Sequence, residues 1–95
     1  MLLSKIRIVG HSMEPTLSSG DIALVSSIPF LFPNPKIGDI IAFRKNDKIF
    51  VKRIAKINRE KYFVKGDNIK DSLDSKNFGW INKKEIVGKV IFRLG

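Results

Sequence analysis

The fold is decided by residues 40–57, which read IIAFRKNDKIFVKRIAKI. Two runs rich in β-branched and aromatic residues, 40–44 and 49–57, flank the turn residues Asn46-Asp47-Lys48. β-Branched and aromatic side chains favour strands, whereas Asn and Asp tolerate the tight turn that joins two antiparallel strands. The stretch therefore predicts a β-hairpin in the middle of the chain.

Further short strands are predicted outside this hairpin, at residues 4–10, 21–26, 61–65 and 85–92. Turns rich in Gly and Asp, such as Ser18-Ser19-Gly20-Asp21, separate several of them. Short strands punctuated by such turns are typical of all-β proteins. A chain of 95 residues is long enough for one modest core and too short for two. We therefore expect a single domain over residues 1–95, a small barrel-like or irregular β-sandwich with at most short helical turns.

Composition excludes several classes of site. The chain has no cysteine, which excludes disulfides, zinc–thiolate sites and thiol nucleophiles, and its single histidine, His11, cannot build a multi-histidine metal site. We therefore expect neither a metal nor another cofactor. No apolar run approaches the roughly 18 residues of a membrane span, and no signal-peptide core follows Met1.

The chain is strongly basic, with a formal net charge of +9. Most of the excess falls in residues 51–95, where twelve Lys and Arg stand against five Asp and Glu. Such a charge favours phosphate-bearing partners, either nucleic acid or anionic lipid headgroups. The basic residues are interleaved with acidic and apolar ones, which is equally typical of a solvated protein surface.

An irregular apolar loop is expected around residues 28–35, where Pro29, Pro33 and Pro35 prevent a regular helix or central strand. The same segment carries two phenylalanines, a leucine and an isoleucine. Two interpretations stay open. The loop folds back over the core, or it enters a membrane interface.

A candidate nucleophile follows the first predicted strand, in residues 10–17, which read GHSMEPTL. Gly10 breaks the strand, Ser12 lies at the bend, and Pro15 is placed to fix the first turn of a short helix. A serine hydroxyl held beside its own backbone N–H at a strand end suits nucleophilic attack with an oxyanion donor. The alternative is a structural one, in which Ser12 is the N-cap of that helix.

A candidate base lies on the second strand of the hairpin. Strict alternation would place Phe50, Lys52, Ile54 and Lys56 on one face of this strand. If that face points inward, desolvation lowers the pKa of the Lys52 amine, and a neutral amine can act as a general base. The alternative is that Lys52 faces solvent as an ordinary surface lysine.

A third informative segment runs from Gly66-Asp67-Asn68 through Ser72 to Gly79. Its Gly, Asp, Asn and Ser residues hydrogen-bond locally and break strand ladders, so a surface loop is one interpretation. The other is a scaffold that brings the Ser72 hydroxyl beside a lysine amine. Residue types alone do not decide between them.

In chain order, these segments resemble the sequence boxes of the type I signal peptidase family. The segments are residues 10–17, 38–41, 51–54 and 66–79. Each box alone is weakly specific, but together they span nearly the whole chain. The chain also resembles compact members of that family, including those thought to mature nickel superoxide dismutase. The resemblance implies a signal peptidase/LexA-like β fold and a serine endopeptidase with a Ser–Lys dyad, which cleaves signal peptides or pro-peptides after small residues.

The resemblance also implies roles for individual residues. Ser12 would be the nucleophile and the donor of one oxyanion hydrogen bond, Lys52 the general base, and Ser72 the serine that orients the lysine amine. An extended segment of a precursor protein would bind between the strands that precede Ser12 and Lys52. The implied substrate-binding residues are Ile8, Gly10, Met13, Phe50 and Val51. The implied structural supports are Arg53, Asp67, Asp74 and Lys76.

Three departures from the family pattern affect these expectations. Gly10 stands where some relatives carry a hydroxyl that is a second oxyanion donor, so this donor is not identified. Lys76 stands where an arginine is usual, and a lysine cannot form a bidentate pair with a carboxylate. The family's membrane anchor is absent from these residues. We therefore expect peripheral association with an anionic membrane surface, with a cytoplasmic location as the alternative.

Two other classes of protein compete with the peptidase interpretation. A LexA-like self-cleaving repressor fragment would share the fold and dyad, but no helix-turn-helix or cleavable linker precedes the domain. A non-enzymatic basic β-barrel would bind nucleic acid in a strongly salt-dependent way. The box around Gly66-Asp67-Asn68 fits the peptidases better, so a nucleic-acid partner is not expected.

Overall fold

The computed structural model describes residues 3–27, 34–68 and 79–94. These residues form seven strands and one short 3₁₀ helix. The strands are β1 (Leu3–Arg7), β2 (Ile22–Ser26), β3 (Ile40–Lys45), β4 (Lys48–Asn58), β5 (Lys61–Lys65), β6 (Ile81–Asn82) and β7 (Ile86–Arg93). The 3₁₀ helix spans Lys83–Glu85. The predicted all-β class with short helical turns is confirmed.

The strands form one antiparallel sheet in the order β1-β2-β7-β3-β4-β5-β6. The last strand, β7, therefore lies between β2 and β3 and joins the β1–β2 pair to strands β3 to β6. β5 coincides with its predicted bounds, and the other predicted strands agree to within three residues at each end. The two-residue β6 was not predicted, since so short a strand carries no alternation.

The central hairpin forms as predicted. β3 and β4 pair from Ile40↔Arg53 to Lys45↔Lys48, and Asn46 and Asp47 fill the turn with φ of 51° and 64°. Asn and Asp are among the residues that most readily adopt this left-handed conformation, which two-residue hairpin loops require.

The alternation predicted along β4 is correct only as far as Ile54. A β-bulge shifts the pairing between Ile54 and Lys56, so that Ile54 pairs with Val64 and Lys56 with Phe63. One extra residue turns the following side chains to the opposite face of the strand. Lys56 is therefore exposed, with its Nζ 5.4 Å from the centroid of the Phe63 ring.

The prediction of a short helix after Gly10 is wrong. β1 ends at Arg7, and residues 10–17 form consecutive turns that include a cis Glu14–Pro15 bond. Within the turns, Leu17 N–H donates to the Met13 carbonyl at 2.9 Å. Since no helix begins here, Ser12 is not a helix N-cap.

Most of the core of the described part of the chain falls into two clusters of buried residues. The cluster of β3 to β6 contains Ile41, Phe43, Ile54, Tyr62, Val64 and Ile81. The cluster beneath β1 and β2 contains Ile8, Met13, Leu17 and Ala23. Burying one such large apolar side chain stabilises a fold by roughly 1.5–3 kcal/mol. Met13 and Leu17 therefore fasten the turns around Ser12 to the core.

Several predictions concern residues outside the described ranges. Ser72, Asp74 and Lys76 are among them, and so is most of the predicted apolar loop, residues 28–33.

Candidate active site

Ser12 lies in the turn that follows β1. Beyond the end of the strand, Ile8 N–H donates to the Asp21 carbonyl and the Ile8 carbonyl accepts from Gly20 N–H, each at 2.8 Å. The chain then changes direction at Gly10, whose φ of +86° favours glycine. The bend leaves Ser12 partly exposed, while Met13 next to it is only 2% exposed.

Lys52 lies on the inward face of β4 and is only 3% exposed. On its own strand it stands between Phe50 and Ile54, and across the sheet it pairs with Ile41 of β3. Both Ile54 and Ile41 are buried. Lys52 is thus removed from water on a strand face that it shares with apolar side chains.

Ser12 and Lys52 line the same pocket, which has a volume of about 150 Å³. One wall of the pocket is residues 6–9, from β1 and the residues just after it, and the opposite wall is residues 49–52 of β4. Met13 lies beside Ser12 in the lining. The pocket therefore brings together a hydroxyl, an amine and several apolar side chains.

Both walls come from strands near an end of a ladder. β1 is the first strand of the sheet, and residues 48–52 of β4 pair with β3 ahead of the point, Arg53, at which β4 starts to pair with β5. A strand edge carries backbone N–H and C=O groups that can pair with another chain. The pocket thus lies between two strands of the sheet.

A charged network joins β4 to the turn that carries Ser12. Arg53 donates from Nε to Asp67 Oδ1 and from Nη2 to Asp67 Oδ2, each at 2.8 Å. Its Nη1 donates to the Gly38 carbonyl at 2.7 Å, and Asp67 Oδ2 also accepts the Thr16 hydroxyl. Asp67 therefore links the residue next to Lys52 with a residue four positions beyond Ser12.

This network changes the pKa of both charged partners. The hydrogen bond from Arg53 is the main cause of a lowered pKa for Asp67, assisted by the Thr16 hydroxyl and the Arg53 charge and opposed by partial burial. The hydrogen bond to Asp67 raises the pKa of Arg53. Both shifts favour the charged pair.

Asn68 binds the turn that carries Ser12 directly. Its backbone N–H donates to the Ser12 carbonyl at 2.8 Å, and its side-chain Nδ2 donates to the His11 carbonyl at 3.0 Å. The His11 carbonyl also accepts Glu14 N–H at 3.2 Å. The His11 ring contacts Glu14 instead, with Nδ1 2.7 Å from Oε2.

The structure gathers most of the predicted site residues that it describes. Ser12 and Lys52 line the pocket, together with four of the five predicted substrate-binding residues, Ile8, Met13, Phe50 and Val51. Gly10 is outside the pocket lining and serves as the bend.

Sequence analysis missed some residues around the site. Thr16 and Asn68 both occur inside quoted motifs, but their partners lie more than fifty residues away in the chain. Arg7 and Ile49 line the pocket from the two predicted strands. The signal that could have identified them is that Ser12 follows the first of these strands and Lys52 lies on the second.

Two further observations bear on the site's chemistry. Within residues 3–27, 34–68 and 79–94, no group of three or more His, Asp or Glu side chains is placed to hold a metal ion. Among the same residues, none of the helical structure is long and apolar enough to cross a membrane.

Comparison with known proteins places the geometry in context. Residues 4–91 match the Peptidase S24-like family. A protein of Staphylococcus aureus named inactive signal peptidase IA is 34% identical, over 88% of this chain and 58% of its own length. The probable signal peptidase I-1 of Synechocystis is 26% identical over 92% of this chain and 68% of its own length. The signal peptidase I of Buchnera aphidicola is 47% identical, over 38% of this chain and 12% of its own length.

Proposed function

Because the chain belongs to the Peptidase S24-like family and is a relative of the type I signal peptidases, we propose that it is a serine endopeptidase with a Ser–Lys dyad. Ser12 is the nucleophile and Lys52 the general base. The observation that carries this proposal is the burial of Lys52, 3% exposed, in the pocket that Ser12 also lines. An ordinary structural lysine would keep its ammonium group in water.

The chemistry follows from these two groups. The neutral Lys52 amine takes the proton of the Ser12 hydroxyl while Oγ attacks the peptide carbonyl carbon. The Ser12 backbone N–H donates to the oxygen that becomes negative. The Lys52 ammonium then returns a proton to the leaving amine, and an acyl-enzyme ester forms. Water, activated by the same amine, hydrolyses the ester and restores Ser12.

The substrate is an extended segment of a precursor protein, cleaved after a small residue. Its backbone would lie between β1 and the first half of β4 and pair with these strands. A pocket of about 150 Å³ with the side chains of Ile8, Met13, Phe50 and Val51 around it favours small side chains over large ones. These properties fit the cleavage of signal peptides or pro-peptides.

Residues outside the described ranges complete the proposed site. Ser72 would orient the Lys52 amine, and Asp74 and Lys76 would support the framework. Support for these roles comes from the resemblance of residues 66–79 to the family's last box.

Membership of the family does not by itself make this chain active. The chain spans about 58% of the length of the Staphylococcus aureus relative, and that relative is named as inactive. Ser12 and Lys52 give this chain the two groups that the proposed mechanism needs, so we expect it to be active.

The net charge of +9 supports a second part of the proposal, peripheral association with an anionic membrane. Co-sedimentation with vesicles that contain an anionic lipid, and not with purely zwitterionic vesicles, is the expected result. Equal sedimentation with both kinds of vesicle, or with neither, would contradict it.

The test of the proposed activity is cleavage-site profiling on a peptide library. The wild-type protein should cut after small residues, and the Ser12→Ala variant should cut nothing. Cleavage by both proteins would reveal a contaminating protease, and cleavage by neither would show that the chain is an inactive member of the family.

A further inference from the structure

The peptide bond between His11 and Ser12 is held on its carbonyl side. The His11 carbonyl oxygen accepts two hydrogen bonds, one from Asn68 Nδ2 at 3.0 Å and one from Glu14 N–H at 3.2 Å. A carbonyl oxygen has two lone pairs, so these two donors use its full capacity. The His11–Ser12 bond is trans, since a cis bond before a residue other than proline is very rare.

The geometry of a peptide transmits this restraint to Ser12. In a trans peptide the C=O and N–H groups lie in one plane and point in opposite directions. The N–H of this unit belongs to Ser12 and is the proposed oxyanion donor. Fixing the His11 carbonyl therefore fixes the direction of the Ser12 N–H, away from Asn68.

The next peptide is held by the same residue. Asn68 N–H donates to the Ser12 carbonyl at 2.8 Å. Both peptide planes that flank Ser12 are thus bound to one asparagine, fifty-six positions away in the chain. The adjacent Asp67 is bound in turn to Arg53, next to Lys52.

From these contacts we infer that Asn68 is a positioning residue, which orients and polarises the Ser12 N–H as an oxyanion donor. This inference rests on the proposed peptidase function. Hydrogen bonds accepted by a carbonyl polarise its peptide unit and make the N–H of that unit a stronger donor. A donor fixed before the reaction starts stabilises the oxyanion without reorganisation during the reaction.

The test is the Asn68→Ala variant, which removes Nδ2 and keeps the backbone N–H. Its kcat should fall about tenfold, less than the ~10²–10³ lost when an oxyanion donor is itself removed. KM and the pH dependence of kcat should stay unchanged, because the groove and Lys52 are untouched. Asn58→Ala, at the exposed far end of β4, is the matched control and should behave as wild type.

A second variant and a second measurement separate positioning from folding. Asn68→Asp keeps the size of the side chain but turns an acceptor toward the His11 carbonyl, so its kcat should fall at least as far. Circular dichroism identifies the temperature range in which each variant is folded, and kinetics are compared within that range. A kcat equal to wild type in both variants would overturn the inference, and so would a loss confined to KM.

The backbone amide resonance of Ser12 gives a readout that needs no activity. The ¹⁵N shift of Ser12 responds to hydrogen bonding at the carbonyl of its own peptide, so Asn68→Ala should move it and Asn58→Ala should not. An unmoved resonance would contradict the role of Asn68. If the wild-type protein cleaves no peptide, the proposed function fails, and this measurement still decides whether Asn68 orients the Ser12 N–H.

Discussion

Arg53 and Asp67 form a bidentate pair, with two parallel hydrogen bonds of 2.8 Å, immediately beside the buried Lys52. Neighbouring residues on a strand point to opposite faces, so Arg53 reaches outward while Lys52 points inward. The pair therefore anchors residues 66–68 to β4 without entering the pocket. From that anchor, Asn68 reaches the turn that carries Ser12.

Replacing Asp67 by Asn should destabilise the fold by about 1–2 kcal/mol, since hydrogen bonds to charged groups contribute about 1.5–3 kcal/mol and Arg53 is partly exposed. The direction of the shift in the pKa of Asp67 determines how this contribution to stability depends on pH. The pKa of Asp67 is lower in the folded protein than in the unfolded chain, so its contribution is complete above the unfolded value of about 3.9. The contribution is lost as the pH falls through the lower, folded value.

Thermal unfolding of both proteins across this range measures the effect. The gap in melting temperature between wild type and Asp67→Asn should be constant near neutral pH and shrink below about pH 4. A gap that does not change with pH would show that the carboxylate charge contributes nothing.

Replacing Ser12 by Ala should reduce peptide cleavage by about 10³-fold or more, because it removes the proposed nucleophile. Ser12 is partly exposed, so the melting temperature should change little. Cleavage of one defined peptide, followed by mass spectrometry, gives both the rate and the site. Ser18→Ala, in the turn before β2, is a suitable control and should keep full activity. A Ser12→Ala protein as active as wild type would refute the dyad.

Replacing Lys52 by Met should abolish cleavage while leaving a folded protein. Methionine has a similar length and suits the buried face of β4, so the melting temperature should stay within about 5 °C of wild type. The wild-type rate should rise with pH as the amine loses its proton. Rates measured from about pH 6 to 9 test this, and a flat profile would argue against an amine base.

Replacing Gly88 by Ala should destabilise the sheet by about 1–3 kcal/mol. A Cβ atom at Gly88 would lie 2.6 Å from the Ser26 carbonyl oxygen and 2.9 Å from a methyl carbon of Val25. The oxygen belongs to the backbone of β2, so relief requires β2 and β7 to separate. Thermal unfolding checks this, with Val87→Ala on the exposed side of β7 as the control. Equal melting temperatures would contradict the close approach.

The strands were predictable because their residues carry a local signal. In β5, Lys61–Lys65, the turn residues before it and the alternation of Tyr62 and Val64 with charged and aromatic positions set both ends. The bulge in β4 has no such signal, because Ala55 fits either face of a strand. Only the pairing with β5 reveals that one residue is extra.

The site was predictable to a similar extent. Ser12 and Lys52 were chosen from a motif and from strand alternation, and the fold brings both to one pocket. The hydrogen bonds of Asn68 and Thr16 depend on how separate segments meet in three dimensions. A single sequence carries no local pattern for such contacts, so they required the structure.

The bulge after Ile54 separates two lysines that would otherwise share one environment. In a regular strand without the bulge, the Lys56 amine would point to the same inner face as the Lys52 amine. Both amines would then be buried away from water. With one residue added, the first amine is dehydrated and the second extends over the Phe63 ring at the surface. The extra residue in the bulge, and not any difference between the two side chains, thus places one lysine in the interior and the other at the surface.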